Sequence, residues 1–179
     1  MARKRDRIFA LTGAALFFVT SFGLSFAVIW QMIQDNHKSN NATAGQTVTT
    51  STNQTKLAGT KMEGFTPLPH IDSVQTIDQQ VGTGAEAKAG DTVTVNYTGA
   101  VAATGTIFQS SLDTGQPVSF SLSQVIKGWQ DGIPGMKEGG KRRLLIPAAQ
   151  AYGANPPQGA GIPANADLVF DVTLVKVGQ

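Results

Sequence analysis

Cysteine is absent from this chain of 179 residues, and histidine occurs only as His37 and His70. The lack of cysteine excludes disulfides, a thiolate nucleophile, a lipid-modified cysteine and a cysteine-based zinc site. Both histidines precede the segment in which we expect most of the folded domain. A Ser-His-Asp triad and a histidine-based metal site are therefore excluded there. Any catalysis must proceed without these groups, and we predict no metal site and no cofactor.

Positive charge is also scarce in the C-terminal part of the chain. Residues 71–179 contain seven Lys and Arg against nine Asp and Glu, whereas residues 1–70 contain seven against three. A nucleic-acid-binding domain needs a basic face, so we predict no nucleic-acid partner. The one basic cluster in this part, Lys141 to Arg143, follows a strand pattern, and we interpret its side chains as solvated.

Charge is missing altogether between Ile8 and Gln34, and most of residues 8–33 are apolar. A helix of about 20 such residues spans a hydrocarbon core of about 30 Å. Four of the first seven residues are basic, which marks the cytoplasmic side, and Trp30 suits the opposite interface. We predict a cytoplasmic tail at residues 1–7 and a transmembrane signal-anchor helix at residues 8–33. The protein would cross the cell membrane once, with its domain extracytoplasmic.

A cleavable signal peptide is the alternative, because Ser25-Phe26-Ala27 matches a small-x-small cleavage site. The apolar core of a signal peptide has about 7–15 residues, and this stretch is longer, which favours an uncleaved anchor. Both alternatives place the domain outside the cytoplasm.

The segment after the predicted anchor has few apolar residues. Between Ser39 and Thr60, 14 of 22 residues are Ser, Thr, Asn or Gln, and Lys56 is the only charged one. Such a segment buries too little apolar area to offset the entropy of ordering. We predict a disordered linker at residues 34–66, and a domain at residues 67–179.

Alternating apolar and polar residues predict β-strands through most of this domain. The clearest series runs from Leu168 to Leu174, and shorter series lie at residues 92–97, 118–120 and 144–146. One short helix is predicted around Ser123 to Ile133, with Ser121 or Ser123 as its N-cap and Pro134 as its end. The pattern indicates an α+β domain in which a twisted antiparallel sheet of five to six strands wraps on one short helix.

Residues 125–153 place Trp129 on this helix, between two glycines, and Tyr152 in a loop rich in Gly and Pro. Almost no charged group that could act as a nucleophile or base is expected near the indole. We therefore predict an apolar cleft with an aromatic floor, suited to binding or to catalysis without a nucleophile.

Four motifs resemble those of the FKBP-type peptidyl-prolyl cis-trans isomerases. They are Asn96-Tyr-Thr-Gly99, Phe108 with Ser110 and Ser111, Val125-Ile-Lys-Gly-Trp129, and Ala151-Tyr-Gly153 with Leu168-Val-Phe-Asp171. The resemblance covers roughly residues 72–177. It implies an isomerase that accelerates rotation of Xaa-Pro bonds in proline-containing polypeptides.

The resemblance also implies a role for particular residues. Trp129 would form the floor under the proline ring, and Tyr97, Phe108 and Phe170 would form its walls. The backbone N–H of Ile126 and the hydroxyl of Tyr152 would hold substrate carbonyls. Val125 and Ile162 would add apolar lining.

Two positions depart from the family's usual residues. Gln109 stands where an aspartate is usual, and Val118 where a second phenylalanine is usual. Glutamine forms hydrogen bonds but contributes no carboxylate charge, and valine removes an aromatic wall. We expect both positions to contact substrate in a shallower pocket, with weaker macrolide-inhibitor binding and reduced but retained isomerase activity.

A non-catalytic peptide-binding or chaperone-like module on the same fold is the alternative function. In that case Gln109 and Val118 would mark lost catalysis. No element for oligomerisation is evident in the sequence, so we expect a monomer.

Overall fold

The computed structural model describes residues 56–178, which contain six β-strands. The predicted anchor at residues 8–33 and the linker up to residue 55 lie outside the described residues. The strands are β1 (Gln75–Gln80), β2 (Thr92–Val101), β3 (Thr106–Ser110), β4 (Val118–Ser121), β5 (Lys141–Ile146) and β6 (Leu168–Val177). One α-helix, α1 (Lys127–Gly132), lies between β4 and β5.

All strand pairs are antiparallel, and the two longest strands form the centre of the sheet. The order is β1-β5-β6-β2-β3, and β4 also pairs with β2. β6 pairs with β2 over the whole length of both strands, from Val93↔Val177 to Val101↔Leu168. On the other edge of β2, β4 pairs with its first half and β3 with its second half. This arrangement confirms the predicted α+β class, with six antiparallel strands and one short helix.

Both faces of the sheet bury apolar side chains. Leu144 and Ile146 of β5 belong to the main core, which contains α1, whereas Leu145 between them points to a second, smaller core. The second core consists of Met62, Ile71, Ala100, Ala102, Ile107, Leu145 and Val169. The sheet therefore has a covered apolar face on each side, and only one of them is covered by the helix.

Residues 57–71, which we call the N-terminal strap, cover the second core. Met62 and Ile71 are buried there, with Leu57, Phe65 and Leu68 packed around them. The strap also extends the edge of β3, because Gly59 N–H donates to the Ile107 carbonyl at 2.7 Å and Ile107 N–H donates to the Thr60 carbonyl at 2.8 Å. The predicted start of the domain at residue 67 is therefore too late, since residues 57–66 pack on the sheet.

Helix α1 is shorter than predicted, and its N-terminus differs. A separate 3-10 turn, Leu122–Gln124, precedes it, and Ile126 is its N-cap without a side-chain hydrogen bond. The hydroxyls of Ser121 and Ser123 lie 2.8 Å apart and bind each other, so the prediction that one of them caps the helix is wrong. Pro134 directly follows the C-cap residue Ile133, as predicted.

The expectation that Arg142 and Arg143 are solvated is also wrong, because each side chain is only 12 % exposed. Arg142 pairs with Asp78 and donates to the Gly132 carbonyl at 2.9 Å, at the end of α1. Arg143 pairs with Asp171 at 2.6 Å and donates to the Gly64 carbonyl of the strap at 2.6 Å. Arg142 therefore attaches α1 to the sheet, and Arg143 attaches the N-terminal strap.

Within residues 56–178, no helix has both the length and the apolar character of a membrane span.

Candidate active site

Trp129 lies at the centre of a group of aromatic rings from four strands and the helix. Its indole meets Tyr97 at 5.5 Å and 84°, Phe120 at 5.4 Å and 80°, and Phe170 at 5.5 Å and 85° between ring centroids and planes. Edge-to-face pairs of this kind stabilise by about 0.5–1.5 kcal/mol beyond their buried area. Three such contacts fix the orientation of the indole. We call the five rings of Tyr97, Phe108, Phe120, Trp129 and Phe170 the aromatic cluster.

Gly99 makes room for the rings on one side of the cluster. Phe108 of β3 and Phe170 of β6 meet edge to face at 5.7 Å across β2. A Cβ on Gly99 would lie 2.6 Å from Cζ of Phe108 and 2.7 Å from Cε1 of Phe170. The Gly99 of the predicted motif is therefore required because two rings occupy the space over its Cα.

Two glycines of α1 determine how closely Trp129 approaches the sheet. A Cβ on Gly128 would overlap the side chain of Ile146, and one on Gly132 would lie 2.8 Å from Cδ2 of Leu144. The backbone of α1 therefore rests directly on the apolar side chains of β5. This contact places the indole at the sheet centre, over β2 and β6.

The turn before α1 presents backbone groups next to the indole. The carbonyl of Ile126 accepts from the N–H groups of Trp129 at 2.9 Å and Gln130 at 3.2 Å. Within residues 56–178 the N–H of Ile126 has no acceptor, as expected for a group that could hold a substrate carbonyl. The buried Nε1 of Trp129 also lacks an acceptor there. The segment Ile126–Trp129 therefore has two unused donors within the described structure.

Two buried serines fasten the wall of the cluster behind Tyr97. The hydroxyl of Ser111 accepts the N–H of Tyr97 at 3.0 Å, at the point where pairing of β2 with β3 ends. The hydroxyl of Ser110 binds that of Thr98 at 2.8 Å and accepts the N–H of Leu112 at 3.2 Å, which caps the 3-10 turn Ser111–Asp113. The serines of the predicted motif therefore position the backbone of β2 and β3, beside Tyr97 and Phe108.

The pKa of both tyrosines of the site is raised, so their phenols stay neutral at pH values where an exposed tyrosine ionises. Burial raises the pKa of Tyr97, and burial together with the neighbouring Tyr97 raises the pKa of Tyr152. Desolvation disfavours the phenolate because the anion loses its hydration. The phenolic hydroxyls therefore keep their protons and can act as hydrogen-bond donors.

The structure brings nine of the ten predicted site residues into one apolar cluster. Tyr97, Phe108, Val125, Trp129 and Phe170 are buried in the main core, and Val118, Ile126, Tyr152 and Ile162 are half-buried and pack against it. The tenth, Gln109, follows Phe108 in β3, pairs with Gly99 and is 8 % exposed.

Phe120 was not predicted from the sequence as a member of the aromatic cluster. Its ring contacts Tyr97 at 5.8 Å as well as Trp129. The signal was present, since Phe120 follows Val118 by two residues in β4 and side chains of a strand alternate between faces. Phe120 thus supplies an aromatic surface beside the position where Val118 removes one.

Comparisons with known proteins agree with this geometry. The model of the family described as FKBP-type peptidyl-prolyl cis-trans isomerase matches residues 84–175. An FK506-binding protein of Neisseria meningitidis serogroup B is 52 % identical over 102 residues, which cover 56 % of this chain and 92 % of that protein. The peptidyl-prolyl cis-trans isomerase FPR2 of Saccharomyces cerevisiae is 50 % identical over 94 residues, which cover 51 % of this chain and 69 % of that protein.

A solved structure shares the architecture as well. A peptidyl-prolyl cis-trans isomerase of Pseudomonas syringae superposes with a TM-score of 0.54 at 35 % identity, covering 62 % of this chain and 79 % of that one. Residues 84–175, which the family model matches, contain the aromatic cluster and the loop of Tyr152. The chain therefore belongs to the FKBP-type peptidyl-prolyl cis-trans isomerase family.

Proposed function

We propose that the aromatic cluster accelerates rotation of Xaa-Pro bonds by binding the twisted amide more tightly than the planar one. Rotation has a barrier of about 18–20 kcal/mol because the C–N bond has partial double-bond character. The two Xaa-Pro isomers differ by only about 0.5–1 kcal/mol, so the catalyst must change a rate and not an equilibrium. No bond is formed or broken, and no nucleophile is needed.

The apolar character of the site supports this mechanism. The planar amide is the charge-separated form and is well hydrated, whereas the twisted form is less polar. A site without water disfavours the planar form, and each 1.36 kcal/mol of preferential stabilisation raises the rate about tenfold. The observation that carries the proposal is the indole of Trp129, held edge to face by Tyr97, Phe120 and Phe170 beneath the half-buried residues of the site.

Each site residue then has a defined task. The proline ring binds where the half-buried Ile126, Tyr152 and Ile162 meet the buried rings. The N–H of Ile126 and the hydroxyl of Tyr152 donate to carbonyls of the substrate on either side of the rotating bond. Val118 and Val125 add apolar contact, and Gln109 offers an amide near the wall formed by Phe108.

An isomerisation assay with a proline tetrapeptide and the full-length chain in detergent tests the mechanism. We expect activity in the wild type, and a large loss of kcat/KM in Trp129→Ala and Tyr152→Phe. Tyr152→Phe is the sharper variant because it removes a hydroxyl and keeps the ring. Gln124→Ala serves as the control, because Gln124 is exposed and lies in the 3-10 turn before α1. A wild-type rate equal to that of buffer would favour the alternative, a non-catalytic peptide-binding or chaperone-like module.

We further propose that the domain acts outside the cytoplasm on secreted or membrane proteins, as a monomer tethered by residues 8–33. The uncharged stretch of residues 8–33 after a basic tail supports this placement. Protease digestion of intact spheroplasts should remove the domain, and N-terminal sequencing of the native protein should begin at or next to Met1. A mature chain that starts at Val28 would replace the anchor with a cleaved signal peptide.

A further inference from the structure

The two ends of the N-terminal strap are each held by one carboxylate. At the first end, the carboxylate of Asp113 accepts the N–H of Leu57 at 2.6 Å and that of Ala58 at 3.4 Å. At the second end, Oδ2 of Asp167 accepts the N–H of Ile71 at 2.7 Å. Both carboxylates lie outside the strap, so each connects it to another part of the fold.

Both carboxylates belong to segments that border the site. Asp113 ends the 3-10 turn Ser111–Asp113, which directly follows the strand of Phe108 and Gln109. The second oxygen of Asp167, Oδ1, accepts the N–H of Ala148 at 2.7 Å. Ala148 begins the 3-10 turn Ala148–Gln150 that leads to Tyr152. One carboxylate therefore serves the wall of the site and the other serves the loop of Tyr152.

The strap between these two ends is packed and not a loose connection. Met62 and Ile71 are buried in the second core. Arg143 donates to the carbonyls of Gly64 at 2.6 Å and Glu63 at 3.3 Å, and its guanidinium lies 5.5 Å from the ring of Phe65. Because these contacts hold the middle of the strap on the sheet, its two ends have fixed positions. The carboxylates of Asp113 and Asp167, which bind these ends, are therefore held in place as well.

The strap also holds the backbone of β3 next to Phe108. Ile107 exchanges two backbone hydrogen bonds with the strap, and its side chain is buried in the second core. Side chains of a strand alternate between faces, so Phe108 projects to the aromatic cluster. The strap therefore supports the wall of the site from the opposite side of the sheet.

We propose that Asp113 and Asp167 are positioning residues of the isomerase, and that the N-terminal strap is the fixed element to which they attach the two borders of the site. The proposal rests on the function proposed above. In it, Asp167 keeps the start of the Tyr152 loop in place, and Asp113 keeps the turn after Phe108 and Gln109 in place. Neither side chain contacts substrate.

Substitution by asparagine should affect the two aspartates differently, because their carboxylates accept different numbers of hydrogen bonds. In Asp167 both oxygens accept backbone N–H groups, and the imidazole Nδ1 of His70 lies 3.0 Å from Oδ2. An asparagine has one accepting oxygen, so Asp167→Asn must turn its NH2 group toward an N–H of Ala148 or Ile71. In Asp113 one short bond dominates, and Asp113→Asn can keep its oxygen on the N–H of Leu57, whereas Asp113→Ala cannot.

Kinetics of full-length variants with a proline tetrapeptide test the proposal, at a temperature where circular dichroism shows each variant folded. We expect kcat/KM of Asp167→Asn and Asp113→Ala to fall about three- to tenfold, mainly through a higher KM, because loose borders weaken substrate binding. Asp113→Asn should restore kcat/KM to within about twofold of the wild type.

Glu138→Ala is the matched control, because it removes an acceptor, Oε1, that binds the N–H of Val177 at 2.8 Å, at the far end of β6 from Phe170. It should lower the melting temperature without changing kcat/KM. Lower melting temperatures in Asp167→Asn and Asp113→Ala with unchanged kcat/KM and KM would overturn the proposal and leave the isomerase function intact. If Asp167→Asn does not fold, equal kcat/KM in Asp113→Ala and the wild type overturns it. A wild type without activity refutes the proposed function instead.

Discussion

The side-chain amide of Gln130 donates from Nε2 to the backbone carbonyl of Val125 at 2.8 Å. In a trans peptide the C=O and the following N–H point in opposite directions. Gln130 therefore also fixes the direction of the Ile126 N–H, which is the donor that we assign to a substrate carbonyl. A polar residue one position after Trp129 thus sets the geometry of a backbone N–H that no substitution of Ile126 other than proline removes.

We predict that Gln130→Ala lowers kcat/KM about fivefold, because a hydrogen bond of about 1 kcal/mol that orients the donor is lost. Activity on a proline tetrapeptide is the measurement. Gln124→Ala removes the same side chain from an exposed position of the preceding turn and should leave activity unchanged. Equal loss in both variants would mean that the side chain of Gln130 has no specific effect on the Ile126 peptide.

Four of the six strands, β2, β4, β5 and β6, could be predicted from the sequence because their periodicity is local. The series in β6 alternates over most of its length, and its apolar residues Leu168, Phe170, Val172 and Leu174 are all buried. The site residues were predicted for a different reason, since all aromatic residues of the cluster except Phe120 occur in four motifs that resemble those of a known family. Their mutual contacts could not be read from any one segment.

The strap and the two arginines could not be predicted in the same way. Met62 lies in an irregular segment without apolar periodicity, and it is buried only because this segment packs against the second core of the sheet. The partners of Arg142 and Arg143 lie 64 and 28 residues away, at Asp78 and Asp171. A strand pattern identifies such residues as facing outward, but it does not show that another segment covers them.

Gly99→Ala should reduce both stability and activity. Its Cβ would lie 2.6 Å from Phe108 and 2.7 Å from Phe170, and two packed rings can separate only by disturbing the aromatic cluster. Overpacking of this kind costs about 1–3 kcal/mol, which chemical denaturation measures. Gly90→Ala is the comparison variant, because a Cβ there meets nothing within 4 Å and the cost is backbone strain at φ +85°. It should destabilise the chain without lowering kcat/KM, whereas Gly99→Ala should lower both.

Val118→Phe should strengthen binding of a macrolide inhibitor. Val118 is half-buried, packs against the main core and lies on the same strand as Phe120, two residues away. A phenylalanine there would add apolar surface, and at about 25 cal/mol per Å² a gain of about 40 Å² gives about 1 kcal/mol, or about fivefold in Kd. Titration calorimetry measures the affinity. Val118→Leu adds volume without a ring, and an equal gain from it would assign the effect to size and not to aromatic character.

Raising the pH should ionise the two tyrosines only as the domain unfolds. Tyr97 and Tyr152 are the only tyrosines in the chain, and burial raises the pKa of both above the ordinary value of 10.0. A raised pKa in the folded state means that their contribution to stability is complete below pH 10.0 and is lost as the pH rises from there toward the folded values. The phenolate absorbance should therefore appear together with loss of the circular dichroism signal, and kcat/KM should stay constant up to about pH 10. In Tyr152→Phe, which retains one tyrosine, the absorbance change should be half as large. If the wild type gains phenolate absorbance near pH 10 while it is still folded, the hydroxyls are hydrated and not buried.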